Sequence, residues 1–495
     1  MKVFFLVRII SGLSGFLWAI LLARFLSIDD FARYAAITSA VAVAGLVASL
    51  GLDRLIYRYV PAAHLRADGR FVVRLGASVL CSRLLISPMV TVAFIAFGVL
   101  GQHAADRPSQ TLGLAFLLAA TLAFSGVFND MANALLCYER QARINLFNLL
   151  LRLAVAWVLH AFEGQLSLVE ALTVMLVTEW LQILCGACWC LVPALRGIAA
   201  SSGQAVGEPA PSMAQVFKLA LGNYAFYMLA LPWQGSTLRL LVASTSSAAM
   251  TALFGLVQTI ADRLKQYLPF QLLKNATEPH LVRQYTLDRD VLRLNRSIDL
   301  IRRLDFLVLT VLATLAAVLG SELIAQVTAG KYLTAGPYAA ATLMVLALAG
   351  ITSAIWVQAN TVGTIHHLSI GYGLVTAVLL LPMWWAASRH GPAGVLAVAA
   401  LPSPLVWCYM WWRVGADALR GLWSVSRDLG LLLSAACAVL VGRWTLSAMG
   451  LSWHGMALAA VATTLALAGL GWLTRSVRSQ DLLDLRVLLK ARHAA

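Results

Sequence analysis

The chain is a succession of long apolar runs separated by short polar breaks. The first two runs, roughly 4–26 and 34–56, each exceed the ~20 residues that a helix needs to cross the hydrocarbon core of a bilayer. A turn, Ser27-Ile28-Asp29-Asp30-Phe31-Ala32-Arg33, joins them, and Asp53-Arg54 with Arg58 closes the second. This hairpin of spans with charge at its ends repeats down the sequence. Further runs lie near 76–100, 111–136, 144–162 and 168–193, and a polar break containing Gly, Pro and Ser follows at 194–215. Runs resume near 216–243, 248–273, 304–328, 338–362, 369–388, 392–412, 428–449 and 455–474. The pattern predicts an all-α polytopic membrane protein with about fourteen transmembrane helices. No stretch shows the ~10-residue alternating strands of an outer-membrane barrel. The first run is too long for a secretory leader and leads straight into another span, so it is expected to be retained.

Composition agrees. Of 495 residues, 60% are hydrophobic and 12% charged, whereas soluble domains run nearer ~25% charged. A net charge of +15 would suggest nucleic acid in a soluble protein. Here most of the Arg falls in loops on one side of the membrane, and no nucleic-acid partner is expected. With the N-terminus in the cytoplasm, the inside loops hold Arg58, Arg66, Arg70 and Arg74, then Arg140 and Arg143. They continue with Arg283, Arg289, Arg293, Arg296, Arg302 and Arg303, then Arg413, Arg420 and Arg427. The basic tail adds Arg475, Arg478, Arg486, Lys490 and Arg492. The outside loops hold little beyond Arg33, Arg107, Lys331 and Arg389. This asymmetry, about fivefold, predicts a multi-pass protein with both termini cytoplasmic.

The seven cysteines fall mostly within spans, where free Cys packs as a small hydrophobe. Cys185 and Cys188 have CxxC spacing, but on a lipid-embedded helix packing is the expected role. His366-His367 has no third ligand nearby, so no metal and no cofactor are expected.

Polar residues inside the spans are the sharper signal. Asn223, Tyr227, Gln234 and Thr237 share one helical face by spacing, and Pro232 interrupts the same span. Thr251, Gly255, Gln258, Asp262 and Lys265 follow 4-3-4-3 spacing on the next span. Two polar stripes suggest a wet cavity; hydrogen bonding between packed helices is the alternative. Charges in spans cost ~2.5–3.5 kcal/mol each on insertion scales. The basic ones are Arg24, Arg83, Arg152, Arg239 and Arg263, with Arg8 and Arg54 nearer the cytoplasmic edge. Arginine stays charged when partly desolvated and grips phosphate oxygens with a planar fork. For Arg24 and Arg239, snorkelling to the interface is the rival role. For Arg83 and Arg152, structural pairing is expected. The acids in spans are Asp53, Asp130, Glu179, Asp262 and Glu322. Asp130 and Glu179 are candidates for binding a coupling proton or cation, with a structural ion pair as the alternative. Gly12, Gly15, Ala19 and Ala23 form a small-residue stripe suited to close helix packing.

The wording of the chain adds a resemblance. LLARFLSIDDFARYAAITSAVAV and SLGLDRLIYRYVP resemble the opening of polysaccharide-type (Wzx-like) flippases of the multidrug/oligosaccharidyl-lipid/polysaccharide (MOP) superfamily. QARINLFNLLLRLAV, GKYLTAGPYAAATLMVLA, ANTVGTIHHLSIGYGL and RHGPAGVLAVAAL resemble later segments, so the likeness covers most of residues 1–412. One departure is Leu238-Arg239, where many members carry an acid before the Arg. The resemblance implies two six-helix lobes around a central cavity, plus two C-terminal helices. It implies an N-lobe at 1–193, a cytoplasmic linker at 194–215 and a C-lobe at 216–412. The two additional helices then occupy 413–474 and the basic cytoplasmic tail 475–495.

On this reading the protein moves a polyprenyl-diphosphate-linked oligosaccharide from the inner to the outer leaflet of a bacterial inner membrane. Arg24, Arg54, Asn223, Gln234, Arg239, Gln258, Asp262, Arg263 and Lys265 would line the substrate path. Membrane lipids surround it, and a polysaccharide polymerase and chain-length proteins are conceivable partners. A drug or toxin exporter of the same superfamily is the alternative, although cationic drugs would favour acidic walls. A polymerase or ligase enzyme would need a sizeable outside loop, and every outside connection is about a dozen residues or fewer. A non-transporting scaffold for polymer synthesis is a further reading.

Overall fold

A computed structural model describes residues 2–65, 68–96, 108–135, 137–200, 213–270, 285, 288–474 and 476 of the chain. All regular structure among them is helical. The helices are α1 Lys2–Phe25, α2 Ile28–Ala48, α3 Asp53–Leu65, α4 Gly69–Phe94, α5 Pro108–Ala134, α6 Tyr138–Glu163, α7 Leu168–Gly186 and α8 Val192–Ala200. After them come α9 Met213–Ala230, α10 Gly235–Thr245, α11 Ala248–Lys265, α12 Val291–Val327, α13 Ala335–Val362 and α14 Ile365–Ala399. The last are α15 Pro402–Val414, a short α16 Ala416–Leu419, α17 Val425–Met449 and α18 Trp453–Leu473.

Several passages are built from two pieces. α7 and α8 join through a π-bulge at Ala187–Leu191. Gly391, at φ 54°, divides α14 into two passages, and the second runs on into α15 across Pro402. α9 and α10 form one interrupted passage. Counted this way, the described helices make about fourteen membrane crossings of the length required.

Two boundaries differ from the sequence reading. The break expected at 194–215 is helical as far as Ala200, and α9 begins at Met213. Most of the expected tail, 475 and 477–495, lies outside the described residues. The basic stretch before the ninth passage is also not all loop. α12 starts at Val291, so Arg293, Arg296, Arg302 and Arg303 are helical. Asp290 caps it, accepting from the Arg293 backbone N–H at 3.0 Å.

The chain divides into two compact units, Met1–Leu256 and Val257–Ala495. The boundary falls inside α11, so α9, α10 and the start of α11 pack with the first six passages. Three contacts inside unit 1 explain this. The Tyr224 hydroxyl donates to the Val47 carbonyl at 3.1 Å. Leu240 and Ala243 of α10 join Ala36, Ile37, Ala40 and Leu118 in one apolar core. At Gly51, between α2 and α3, a Cβ would strike the Ala220 carbonyl. Gly51 also has φ 73°, in the left-handed region that favours glycine.

Unit 2 is built on α12, which packs along α13 and α17, while α17 pairs with α18. Its core gathers Leu268, Phe306, Leu309, Ala313, Leu343, Leu431 and Leu467.

Candidate functional site

The interior of unit 1 holds two charge clusters. In the first, Arg152 of α6 reaches Glu179 of α7 at 2.7 Å and donates from Nε to the Thr178 hydroxyl at 3.1 Å. The Ser125 hydroxyl donates to the other Glu179 oxygen at 2.8 Å. Trp18 of α1 lies under the guanidinium, 5.6 Å from ring to cation. An amide ladder continues from there: Asn148 to Gln182, Gln182 to Asn129, and Gln141 to Asn129 and Asn145. The ladder ties α5, α6 and α7 together, and Trp18 brings α1 against the same cluster.

In the second cluster, Arg83 of α4 pairs with Asp53 at 2.5 Å and stands 3.8 Å from Asp130. The Tyr57 hydroxyl donates to Asp130 at 2.9 Å. Gly126 makes room for this guanidinium, since a Cβ there would press on Nη1 of Arg83 at 2.5 Å. Both candidate coupling acids, Asp130 and Glu179, therefore have an arginine beside them.

Unit 2 holds a third cluster. Arg302 of α12 has almost no exposed surface and is gripped by Asp428 of α17 at 2.7 Å and Asp299 at 2.9 Å. The Trp423 indole N–H also donates to Asp428, at 2.7 Å. This corrects the assignment of Arg302 to a basic inside loop: it is a buried helical residue with two carboxylates. The sequence reading missed Asp299, Asp305 and Asp428 as interior acids, because each lies beside the polar end of an apolar run. Asp305 holds a different job, accepting the Phe270 backbone N–H at 2.8 Å and anchoring the chain that leaves α11.

The proposed substrate-path residues are distributed along the chain's depth. Arg24 is exposed in the last turn of α1, where a cation suits the helix dipole. Arg239 is half-buried on α10, next to Leu240, which joins an apolar core with Ala36 to Val43 of α2. On α11, Gly255 touches Ala35, and Thr251 and Gln258 are buried. Asp262 and Arg263 are half-buried and Lys265 is exposed. At about 1.5 Å rise per residue, Arg263 and Lys265 lie about 12 and 15 Å along α11 from Gly255. The first half of that stripe is packing, and its last turn is open. The side chains of Arg54 and Asn223 lie outside the described residues.

The polar stripe read over 223–237 does not hold as one helical face. α9 ends at Ala230, and Gln234 is extended at φ −75°, ψ 142° before α10 starts. Pro232 removes a donor, and within the break the Leu231 carbonyl accepts from the Gln234 backbone N–H at 3.1 Å and the Thr237 hydroxyl at 2.7 Å. The break resets the helical phase, and Thr237 serves the backbone.

The family model described as "Polysaccharide biosynthesis protein" matches residues 2–192. The solved structure of a lipid II flippase, MurJ, in an inward closed conformation, aligns with a TM-score of 0.63 at 10% identity, over 98% of this chain and 100% of that one. An inward-facing multidrug resistance MATE family transporter of the MOP superfamily aligns with a TM-score of 0.53 at 14% identity, over 86% of this chain and 99% of that one. The chain shares its fold with these two structures. No curated protein sequence matches the chain. With ten described helical segments long and apolar enough to cross a bilayer, the chain is a multi-pass membrane protein. Its first 192 residues match a polysaccharide-biosynthesis family model, and its fold is shared with a lipid II flippase and a multidrug transporter.

Proposed function

We propose that the protein is a flippase that carries a polyprenyl-diphosphate-linked oligosaccharide from the inner to the outer leaflet by alternating access. The observation that carries this is a conjunction: the MOP fold, together with a polysaccharide-biosynthesis match over the first 192 residues. The distribution of charge supports it. Arg83, Arg152 and Arg302 are committed to carboxylates and hold helices together. Arg24 is exposed in the last turn of α1, Arg239 is half-buried on α10, and Arg263 and Lys265 lie in the last turn of α11. We assign these four, with Arg54, to successive contacts with the diphosphate, whose oxygens suit the guanidinium fork. Asn223, Gln234, Gln258 and Asp262 are assigned to the sugar. The two-lobe organisation with a linker near 194–215 belongs to the same reading, as does the inner-membrane location. The protein is read as a carrier and not an enzyme. Asp130 and Glu179 are read as locks within unit 1, with coupling-ion binding as their alternative role.

The test is leaflet exchange of lipid-linked oligosaccharides in proteoliposomes. Arg24→Ala and Arg239→Ala are each expected to slow exchange by about tenfold or more, the loss of one charge-assisted contact, with insertion unchanged. Wild-type exchange by both variants would overturn the cationic path. Exchange of organic cations in place of the diphosphate lipid would favour a drug exporter.

A further inference from the structure

Unit 2 carries a charged pocket that the transport reading leaves unused. α12 and α17 end close together, at Val327 and Met449. Their last turns enclose a cavity of about 480 Å³, whose wall includes Ser321, Glu322, Arg443, Ser447 and Leu451. On its inner side the helices are in tight contact, for a Cβ at Gly442 would meet Val318 and Thr463. Trp444 follows Arg443 and Trp453 lies two residues past Leu451, and both are highly exposed. Tryptophans of that kind mark the headgroup level of a bilayer.

The two charges are held differently. Arg443 is fixed to the wall, donating from Nε and Nη2 to the Ala317 carbonyl at 3.3 and 2.9 Å. Glu322 is half-buried, and its Oε2 is buried with no hydrogen-bond partner among the described residues. A buried acceptor left in that state costs free energy that a ligand donor would recover. A ligand that satisfies this wall therefore needs an anionic group for Arg443 and an N–H donor for Glu322. At the membrane interface, that combination is a phosphate with a primary ammonium. A quaternary ammonium has no N–H to give. A purely anionic headgroup, even one with hydroxyl donors, brings no positive charge to set against Glu322.

We propose that this pocket binds the headgroup of an aminophospholipid, with its phosphate on Arg443 and its ammonium on Glu322. The site is independent of which substrate the protein moves. It gives the C-terminal helix pair a fixed lipid partner at the interface.

The full-length protein would be delipidated in detergent and exchanged with an equal mixture of phosphatidylethanolamine, phosphatidylcholine and phosphatidylglycerol. Native mass spectrometry then counts retained lipid. The wild type is expected to prefer ethanolamine over choline lipid by roughly tenfold, as for one hydrogen bond to a charged group. Glu322→Gln should bring that preference close to parity, and Arg443→Gln should lower retention of all three lipids. Should Glu322→Gln fail to fold, Ser447→Trp fills the pocket and should abolish the preference. Soluble phosphoethanolamine should displace the lipid poorly. An unchanged preference in Glu322→Gln or Ser447→Trp, equal retention by the wild type, or displacement by equimolar soluble phosphoethanolamine would each overturn the assignment.

Discussion

Three guanidinium groups show how this interior tolerates charge. Arg152 is enclosed by Glu179, Thr178 and Trp18, and Arg302 by Asp299, Asp428 and Phe306. Arg83 is shared between Asp53 and Asp130. Removing one member of a buried pair strands its partner, which costs about 3–5 kcal/mol. Glu179→Ala is therefore expected to lower the melting temperature of the purified protein sharply. An Arg152→Leu/Glu179→Leu double variant should recover most of the loss, as a double-mutant cycle would show. Arg302→Lys is expected to destabilise as well, because an ammonium cannot bridge two carboxylates as a planar fork does. Gly51→Ala should cost more than about 1 kcal/mol, since its φ and its contact with Ala220 both exclude a side chain. The expectation of structural pairing for Arg83 and Arg152 came from their places in the chain order. Arg302 escaped it because it stands where an apolar run meets a basic segment, and hydropathy alone places such residues in a loop.

Among the elements, the interrupted passage of α9 and α10 is the most informative. Pro232 shows in the sequence that a carbonyl must be freed, and irregular backbone at membrane depth is tolerated where protein or water satisfies it. The sequence could not show that the Leu231 carbonyl inside the break would be shared by the Gln234 N–H and the Thr237 hydroxyl, six positions along. Nor could it show that Gln234 would become extended and break the polar face read across it. Thr237→Val keeps the shape and removes the hydroxyl. It should cost about 0.6–2 kcal/mol, the range for hydrogen bonds inside membrane proteins, measured as a fall in thermal stability in detergent. Thr237→Ser should retain the bond and the stability. α12 teaches the complementary lesson. A run read as beginning near 304 is preceded by a further amphipathic stretch from Val291, whose Arg302 meets Asp428 of α17 while Arg293 and Arg296 stay exposed.

For the whole molecule, the ten long apolar segments among the described residues follow from a hydropathy pattern that any bilayer would sort in the same way. Orientation is a separate matter, set by Lys and Arg in the short loops. Removing the helical, buried Arg302 from that count does not reverse the bias. A fluorescent protein fused after Ala495 is expected to fluoresce in cells, and alkaline phosphatase at the same point to be inactive. The opposite pair of results would place the C-terminus outside. The division into units inside α11 was not visible in composition, which marks 194–215 as the obvious break. It arises because α10 completes an apolar core with α2 and α5, and a core is a property of surfaces brought together. The sequence by itself determined that the chain crosses a membrane many times as helices, because each span satisfies its own backbone locally. Tertiary structure alone decided which charges face one another, because Arg302 and Asp428 stand 126 residues apart and meet only when their helices pack.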